Sequence, residues 1–314
     1  MSQESSEVMN AVGVRQITCN NLTKIYGKSE RKALDSVSLS LPSRGIFVLI
    51  GRNGSGKTTL VRILATQLEP TSGSATIDGL DVVTEARNVR QKIAIVPQEA
   101  RPIPWMTPMQ TVQSYLLWRG FSYGEAKRRT LETLEMLGLG KSLNALNRSL
   151  SGGNKRKVMV ATVLSSEAEI IFMDEPTTGL DPISRKEFWE TLRESGRDRF
   201  TFLTTHYLEE AEQLADHIGM LDNGSLIRMG TLEQLQESVP YNYSIKVLSR
   251  TTTIPRLETG ETVTSMDGNT RILTSEEEAF KVSRELTEMG SKFTVNPVSL
   301  DDIFFYLARR KSGE

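Results

Sequence analysis

Gly51-Arg52-Asn53-Gly54-Ser55-Gly56-Lys57-Thr58 is the stretch from which the rest of this 314-residue chain is read. It has the form GxxxxGKT, and each residue type has a physical reason. Glycines without side chains let successive backbone N–H groups converge on phosphate oxygens. A helix opening near Lys57 points its positive end at the same anion. Lys57 is expected to reach the β- and γ-phosphates, and the Thr58 hydroxyl to hold a divalent cation. The context is right on both sides. Ile46–Ile50 is a continuous apolar run ending in glycine, which suits a buried parallel strand. From Thr58 to Leu68 a helical pattern follows, with Leu60, Val61, Ile63, Leu64 and Leu68 on one broad face.

A second element answers the first. Ile170-Ile171-Phe172-Met173 is an apolar run that ends in Asp174-Glu175. Burying the run brings both acids out at the strand's C-terminal end, where open α/β sheets place their ligands. Asp174 suits the shell of a hard cation, which takes oxygen ligands. Glu175 suits polarisation of an attacking water.

Other elements follow the same alternation. Short β-like runs occupy about Val14 to Pro42, and Ile93–Val96 reads as a short buried strand. Ser122 with Glu125 reads as a capping box opening a helix to about Leu137, and a further helix is expected over Asn154–Leu164. Strands at 170–173, 202–204 and 218–221 alternate with helices at 184–195 and 207–215. Asp222-Asn223-Gly224-Ser225 turns into a strand at 226–229. Strands alternating with helices predict a mainly parallel α/β sheet. Around Pro240 the character changes. Strands at 243–248, 271–273 and 293–295, with helices at 276–289 and 300–308, predict a small α+β appendage. Ser275 with Glu278 and Ser299 with Asp302 are its helix caps.

Composition sets limits. A net charge of -1 argues against a dedicated nucleic-acid binder. The basic runs Lys127-Arg128-Arg129, Lys155-Arg156-Lys157 and Arg309-Arg310-Lys311 read as solvated helix faces. Cys19, the one cysteine, excludes an intramolecular disulfide framework and reads as a small strand residue in a reducing compartment. The first residues, acidic and polar, are no signal peptide, and residues 1–13 are expected to be a frayed tail. No apolar run approaches the roughly 20 residues a membrane helix requires, so a cytoplasmic chain is expected.

Leu150-Ser151-Gly152-Gly153-Asn154, shortly before the Asp174-Glu175 strand, resembles the signature of the ABC-transporter ATPases. The other landmarks come in that family's order: the phosphate loop, Val96-Pro97-Gln98, the signature, Asp174 through Asp181, then Thr204-Thr205-His206. The resemblance covers about residues 15–235. It implies a P-loop NTPase core, with a mainly parallel sheet, an antiparallel β subdomain and a helical subdomain at about 99–165. That nucleotide-binding domain would span 14–238, and an accessory domain 239–314.

The resemblance also implies roles. ATP and Mg²⁺ are the expected cofactors, with ATP at a head-to-tail dimer interface of two such chains or of paired cassettes. Tyr26 is expected to stack on adenine, and Arg52, Asn53, Gly54, Ser55, Gly56, Lys57, Thr58 and Thr59 to wrap the phosphates. Ser151, Gly152, Gly153 and Asp181 would come from the opposite cassette. Thr58, Gln98 and Asp174 are the expected Mg²⁺ ligands, and Glu175, His206, Gln98 and Lys57 the catalytic set. The partner is a transmembrane permease, which would hold the chain at the cytoplasmic face of the membrane. Trp105 and Met106 are expected to help line the groove that receives it, and the Ser299–Phe304 tail resembles that of export cassettes. His217, which opens a strand, reads as structural. Asn154 departs from the commoner glutamine and keeps an amide at the helix start with shorter reach.

Overall fold

A computed structural model describes residues 17–27, 31–42, 44–195, 199–248, 255, 257–258, 260–264 and 270–312. The expected tail at 1–13 lies outside them. Two compact units emerge, Met1–Asp216 with Leu221–Leu226, and His217–Met220 with Ile227–Glu314.

The first unit opens with β1 (Ile17–Ile25) and β2 (Lys32–Leu41), antiparallel with Ile17 opposite Leu41. Every residue of β3 (Gly45–Ile50) after the glycine is buried, as its unbroken apolar run requires. The helix after the phosphate loop, α1 (Lys57–Leu64), stops four residues short of the expected Leu68. Thr66 takes φ 60° and the Gln67 N–H closes back onto the Arg62 carbonyl, a left-handed C-terminal cap that a periodicity count does not see. Next come β4 (Ser72–Ile77), β5 (Leu80–Asp81), an unanticipated α2 (Ala86–Lys92) and β6 (Ile93–Val96). Strands β2, β1, β4 and β5, in that order, form an antiparallel sheet.

Three helices pack on one another to make the helical subdomain: α3 (Pro108–Trp118), α4 (Tyr123–Met136) and α5 (Gly152–Leu164). α3 starts with a full capping box between Thr107 and Gln110, and Pro108 sits at its first position. The box expected at α4 is only half made. The Glu125 N–H reaches Ser122 Oγ at 3.3 Å, but its carboxylate accepts from Arg129 Nε at 3.1 Å instead of turning back. α5 begins two residues before the expected Asn154, because Ser151 Oγ already caps the Asn154 N–H at 3.2 Å.

The chain then runs through β7 (Ile170–Asp174), α6 (Pro182–Ser195), β8 (Phe200–Thr205), α7 (Leu208–Leu214), β9 (His217–Asp222) and β10 (Ser225–Gly230). The main sheet has the order β10-β9-β3-β8-β7-β6. Its β3, β8, β7 and β6 are parallel, with Ile50 beside Thr205, Asp174 beside Thr204 and Val96 beside Met173. Phe47, Phe202 and Phe172 interleave in its core, with ring centroids 4.9 and 5.6 Å apart. This register has a consequence for function. Four strand ends, those before Gly51, Gln98, Glu175 and His206, lie side by side at one edge of the sheet.

The second unit contains α8 (Leu232–Glu237), β11 (Tyr243–Val247), β12 (Glu261–Thr264), β13 (Thr270–Thr274), α9 (Glu276–Glu288), β14 (Phe293–Pro297) and α10 (Leu300–Ser312). The four strands form an antiparallel sheet ordered β12-β13-β11-β14. Ala279, Val282 and Leu286 of α9 pack on Ile245, Val247 and Ile272. Ser275 caps α9 through the Glu278 N–H, but Glu278 Oε1 accepts from the Glu258 N–H rather than closing a box. Ser299 and Asp302 do close one at α10. The unit takes in α8, which packs on α10, so its boundary precedes the expected residue 239.

Candidate functional site

The loop after β3 folds around its own lysine. Lys57 is 5% exposed, and its ammonium donates to the carbonyls of Gly51 at 2.7 Å and Arg52 at 3.1 Å. Gly56 precedes it at φ 109°, where a Cβ would stand 2.4 Å from the Ala33 carbonyl oxygen, so no side chain fits. Arg52 contributes main chain here, and its side chain is exposed. Ser55 is buried, and its Oγ has no hydrogen-bond partner among the described residues.

Opposite the loop stands the end of β7. Glu175 is 6% exposed and adopts φ 48°, a left-handed conformation that costs a non-glycine residue about 1–3 kcal/mol. Its N–H is held by Thr204, through the carbonyl and Oγ1, both at 3.1 Å. The side chain then meets four partners. Oε2 accepts from Gln98 Nε2 at 3.3 Å and Thr178 Oγ1 at 3.2 Å, and lies 3.1 Å from His206 Nδ1. Oε1 is 3.6 Å from Lys57 Nζ. Burial draws the Lys57 pKa down, while Glu175 and Asp174 push it back up. Asp174 is 2% exposed and accepts from Thr204 Oγ1 at 2.5 Å.

A cleft of about 350 Å³ joins these groups, lined by Tyr26, Asn53, Gly54, Gly56, Lys57, Thr58, Thr59, Gln98 and Glu175. Tyr26, 45% exposed, reaches Thr59 Oγ1 with its hydroxyl at 3.2 Å. The residues present fit a nucleoside triphosphate with its cation. The loop admits no Cβ at Gly56, Ser55 Oγ is an unspent buried donor, and Thr58 and Gln98 supply hard oxygens in the lining, while Asp174 lies buried behind it against Thr204. Ser151, Gly152, Gly153 and Asp181 do not line this cleft. Gly152 and Gly153 form the first turn of α5, whose N–H groups have no intrahelical acceptor. A Cβ on Gly153 would meet Leu180 at 3.0 Å, which places the signature beside the loop carrying Asp181. Asp181 caps α6, accepting the N–H groups of Ile183 at 3.1 Å and Ser184 at 3.0 Å. Ser184 is also the chief cause that lowers its carboxyl pKa.

Sequence reading missed buried ionisable groups at two places. One is Arg156, 4% exposed, and its neighbour Lys157 is 7% exposed, so that basic run is not a solvated face. Lys127 and Arg128 are exposed as expected, while Arg129 is partly covered and pairs with Glu125 and Glu167. Arg309 and Arg310 are exposed, and the Lys311 side chain lies outside the described residues. The second miss is Glu210, fully buried behind the site, where Thr177 Oγ1 donates to it at 3.1 Å and Trp189 Nε1 at 2.9 Å. Helical spacing was the available signal, since Arg156 precedes the buried Val160 and Val163 by four and seven residues, and Glu210 precedes Leu214 by four. Cys19 is buried, and burial pushes its thiol up to about 12, so it is inert at neutral pH.

Glu210 yields a pH prediction. Burial raises its carboxyl above the ordinary 4.5, against the opposing bonds from Thr205, Trp189 and Thr177 and the charge of Arg185. The folded chain then holds this proton to higher pH than the unfolded chain does. Its contribution to stability is full below about 4.5 and is lost as pH climbs through the raised value. Urea unfolding at pH 5 and pH 8 should show the parent losing stability relative to Glu210→Gln over that interval. Parallel pH slopes for the two proteins would sink this reading.

Residues 34–178 match the family model described as ABC transporter. The chain is 35% identical over 237 residues to a daunorubicin/doxorubicin resistance ATP-binding protein of Streptomyces peucetius, which covers 74% of this chain and 71% of that protein. It is 36% identical over 220 residues to a linearmycin resistance ATP-binding protein of Bacillus subtilis, 70% of each. Among solved structures, a dimeric ATP-binding cassette in a post-hydrolysis state with ADP and Pi superposes with a TM-score of 0.63. That match has 28% identity and spans 69% of this chain and 98% of that one.

Proposed function

Because the chain belongs to the ATP-binding proteins of ABC transporters, we propose that it drives export through its permease, with hydrolysis centred on Glu175. The observation that carries this reading is the Glu175 carboxylate, buried yet open to the cleft and touching Lys57, Gln98 and His206 at once. A carboxylate there can take a proton from a water aimed at the terminal phosphate. Lys57 faces the developing charge, and His206 and Gln98 hold the carboxylate in line. Thr58, Asp174 and Gln98 would hold Mg²⁺, which supplies charge neutralisation between the phosphates when bound. Little covalent chemistry falls to the protein, so placement and charge account for the rate.

Ser151, Gly152 and Gly153 stand away from their own chain's cleft, at a helix N-terminus suited to an anion. They are assigned to the γ-phosphate of the opposite cassette in a head-to-tail pair. Relatives named for resistance to daunorubicin, doxorubicin and linearmycin support export as the direction. Trp105, 75% exposed, is assigned to the permease contact. Among the described residues no helix is long and apolar enough to cross a membrane, and the chain is placed at the cytoplasmic face through that contact.

Head-to-tail geometry has a test that needs no permease. Lys57→Met and Ser151→Arg should each be inactive alone, since every composite site then lacks one component. Mixed one to one, half the dimers regain one intact site, and phosphate release should return to about a quarter of the parent rate. A mixture no more active than its two components would overturn the head-to-tail assignment.

A further inference from the structure

Arg156 sits in a run of three cations on α5, and among the described residues no carboxylate accepts a hydrogen bond from it. Its guanidinium instead donates to five main-chain carbonyls. Nε bonds the Pro176 oxygen at 3.1 Å. Nη1 bonds those of Pro97 at 2.9 Å and Gln98 at 3.1 Å. Nη2 bonds those of Asp174 at 2.6 Å and Glu175 at 3.1 Å. A guanidinium carries five N–H groups in a fixed fork, and each one here has its own acceptor. Burial and the nearby Arg101 lower its pKa to about 10, so it remains charged at neutral pH.

These carbonyls belong to the two segments whose side chains meet in the cleft, Pro97-Gln98 after β6 and Asp174–Pro176 at the end of β7. Fixing a peptide plane fixes the direction in which the adjoining side chain leaves the backbone. Glu175 needs such fixing more than most residues, because its φ of 48° persists only where the surroundings over-determine it. Thr204 holds the peptide on its N-terminal side, and Arg156 holds the carbonyl on its C-terminal side. The same guanidinium holds the Gln98 carbonyl, while Gln98 Nε2 meets Glu175 Oε2 at 3.3 Å.

We propose that Arg156 is a positioning residue for ATP hydrolysis, aiming Glu175 and Gln98 from the helix that begins with Ser151-Gly152-Gly153. This rests on the reading of Glu175 as the group that polarises water. Lysine cannot replace it. An ammonium has three donors on a flexible stem, so at least two of the five carbonyls lose their donor.

Four proteins test the proposal: the parent, R156K, E175Q and R156K/E175Q. R156K should lower kcat by about 10- to 100-fold, the scale expected of a misplaced catalytic group. Binding of a fluorescent ATP analogue and the KM for ATP should stay within about twofold, because the phosphate loop is untouched. In the E175Q background the second substitution should remove nothing further, since Arg156 acts through the carboxylate already lost. Parent-like turnover by R156K overturns the proposal. So does an equal fold-loss in both backgrounds, which would mark Arg156 as a general structural support. E175Q with parent-like turnover defeats the reading of Glu175 itself, and is distinguishable because it needs no change at Arg156. If far-UV circular dichroism shows R156K unfolded, R156Q with added methylguanidinium takes its place. Turnover restored in R156Q but not in R156Q/E175Q supports the proposal, and no restoration overturns it.

Discussion

Glu175→Gln should lower ATP turnover by about 10²- to 10⁴-fold, the usual worth of a positioned general base, while ATP still binds. The amide is close to the carboxylate in size, and Gln meets the φ of 48° no worse than Glu does. Lys57, the phosphate loop and Tyr26 are untouched, so nucleotide affinity should remain within a few-fold of the parent. Thr178 Oγ1 and Gln98 Nε2 can still donate to the amide oxygen. What disappears is the capacity to accept the water's proton. In the head-to-tail pair proposed above hydrolysis is the step that reopens the dimer, so this variant should also elute as a dimer in ATP and Mg²⁺. Phosphate release and gel filtration check the two halves. Turnover within tenfold of the parent would mean that another group activates the water.

Lys57→Met should cost about 10²- to 10³-fold in kcat, the scale of removing one electrostatic donor from a transition-state site, and should weaken ATP binding as well. Methionine fills the volume but cannot donate to the Gly51 and Arg52 carbonyls, which the ammonium reaches at 2.7 and 3.1 Å. It also leaves Glu175 without the cation 3.6 Å from Oε1. Both losses fall on buried groups, where unsatisfied charge and carbonyls are expensive. Fluorescent-nucleotide titration and steady-state turnover separate the two effects. Parent-like affinity and rate would show that the β- and γ-phosphates are held by backbone N–H groups alone.

Much of the site was legible because its chemistry is local. Gly56 at φ 109° and Lys57 at the helix start are neighbours in sequence, and a loop around phosphate needs them in that order. Asp174 and Glu175 end a run whose burial follows from four apolar residues in succession. Element ends were harder. α1 stops at Leu64 because Thr66 turns left-handed, and α5 starts at Gly152 because Ser151 caps it. The second unit gathers α8 with the appendage by packing on α10, a contact between residues far apart in the chain.

By itself the sequence determined the parallel core, the phosphate loop, the acids at the end of β7 and the family. Each of these rests on residue types at fixed spacing, and spacing is covalent. Tertiary structure alone decided which charges are solvent-facing and what they hold. Arg156 reads as one more cation in Lys155-Arg156-Lys157, yet five carbonyls from two distant strand ends surround it. Every residue contributes a main-chain carbonyl, so a side chain that binds carbonyls leaves no partner signature in the sequence. Glu210 is hidden for a related reason, since its partners Thr177 and Trp189 become neighbours only when α6 and α7 pack.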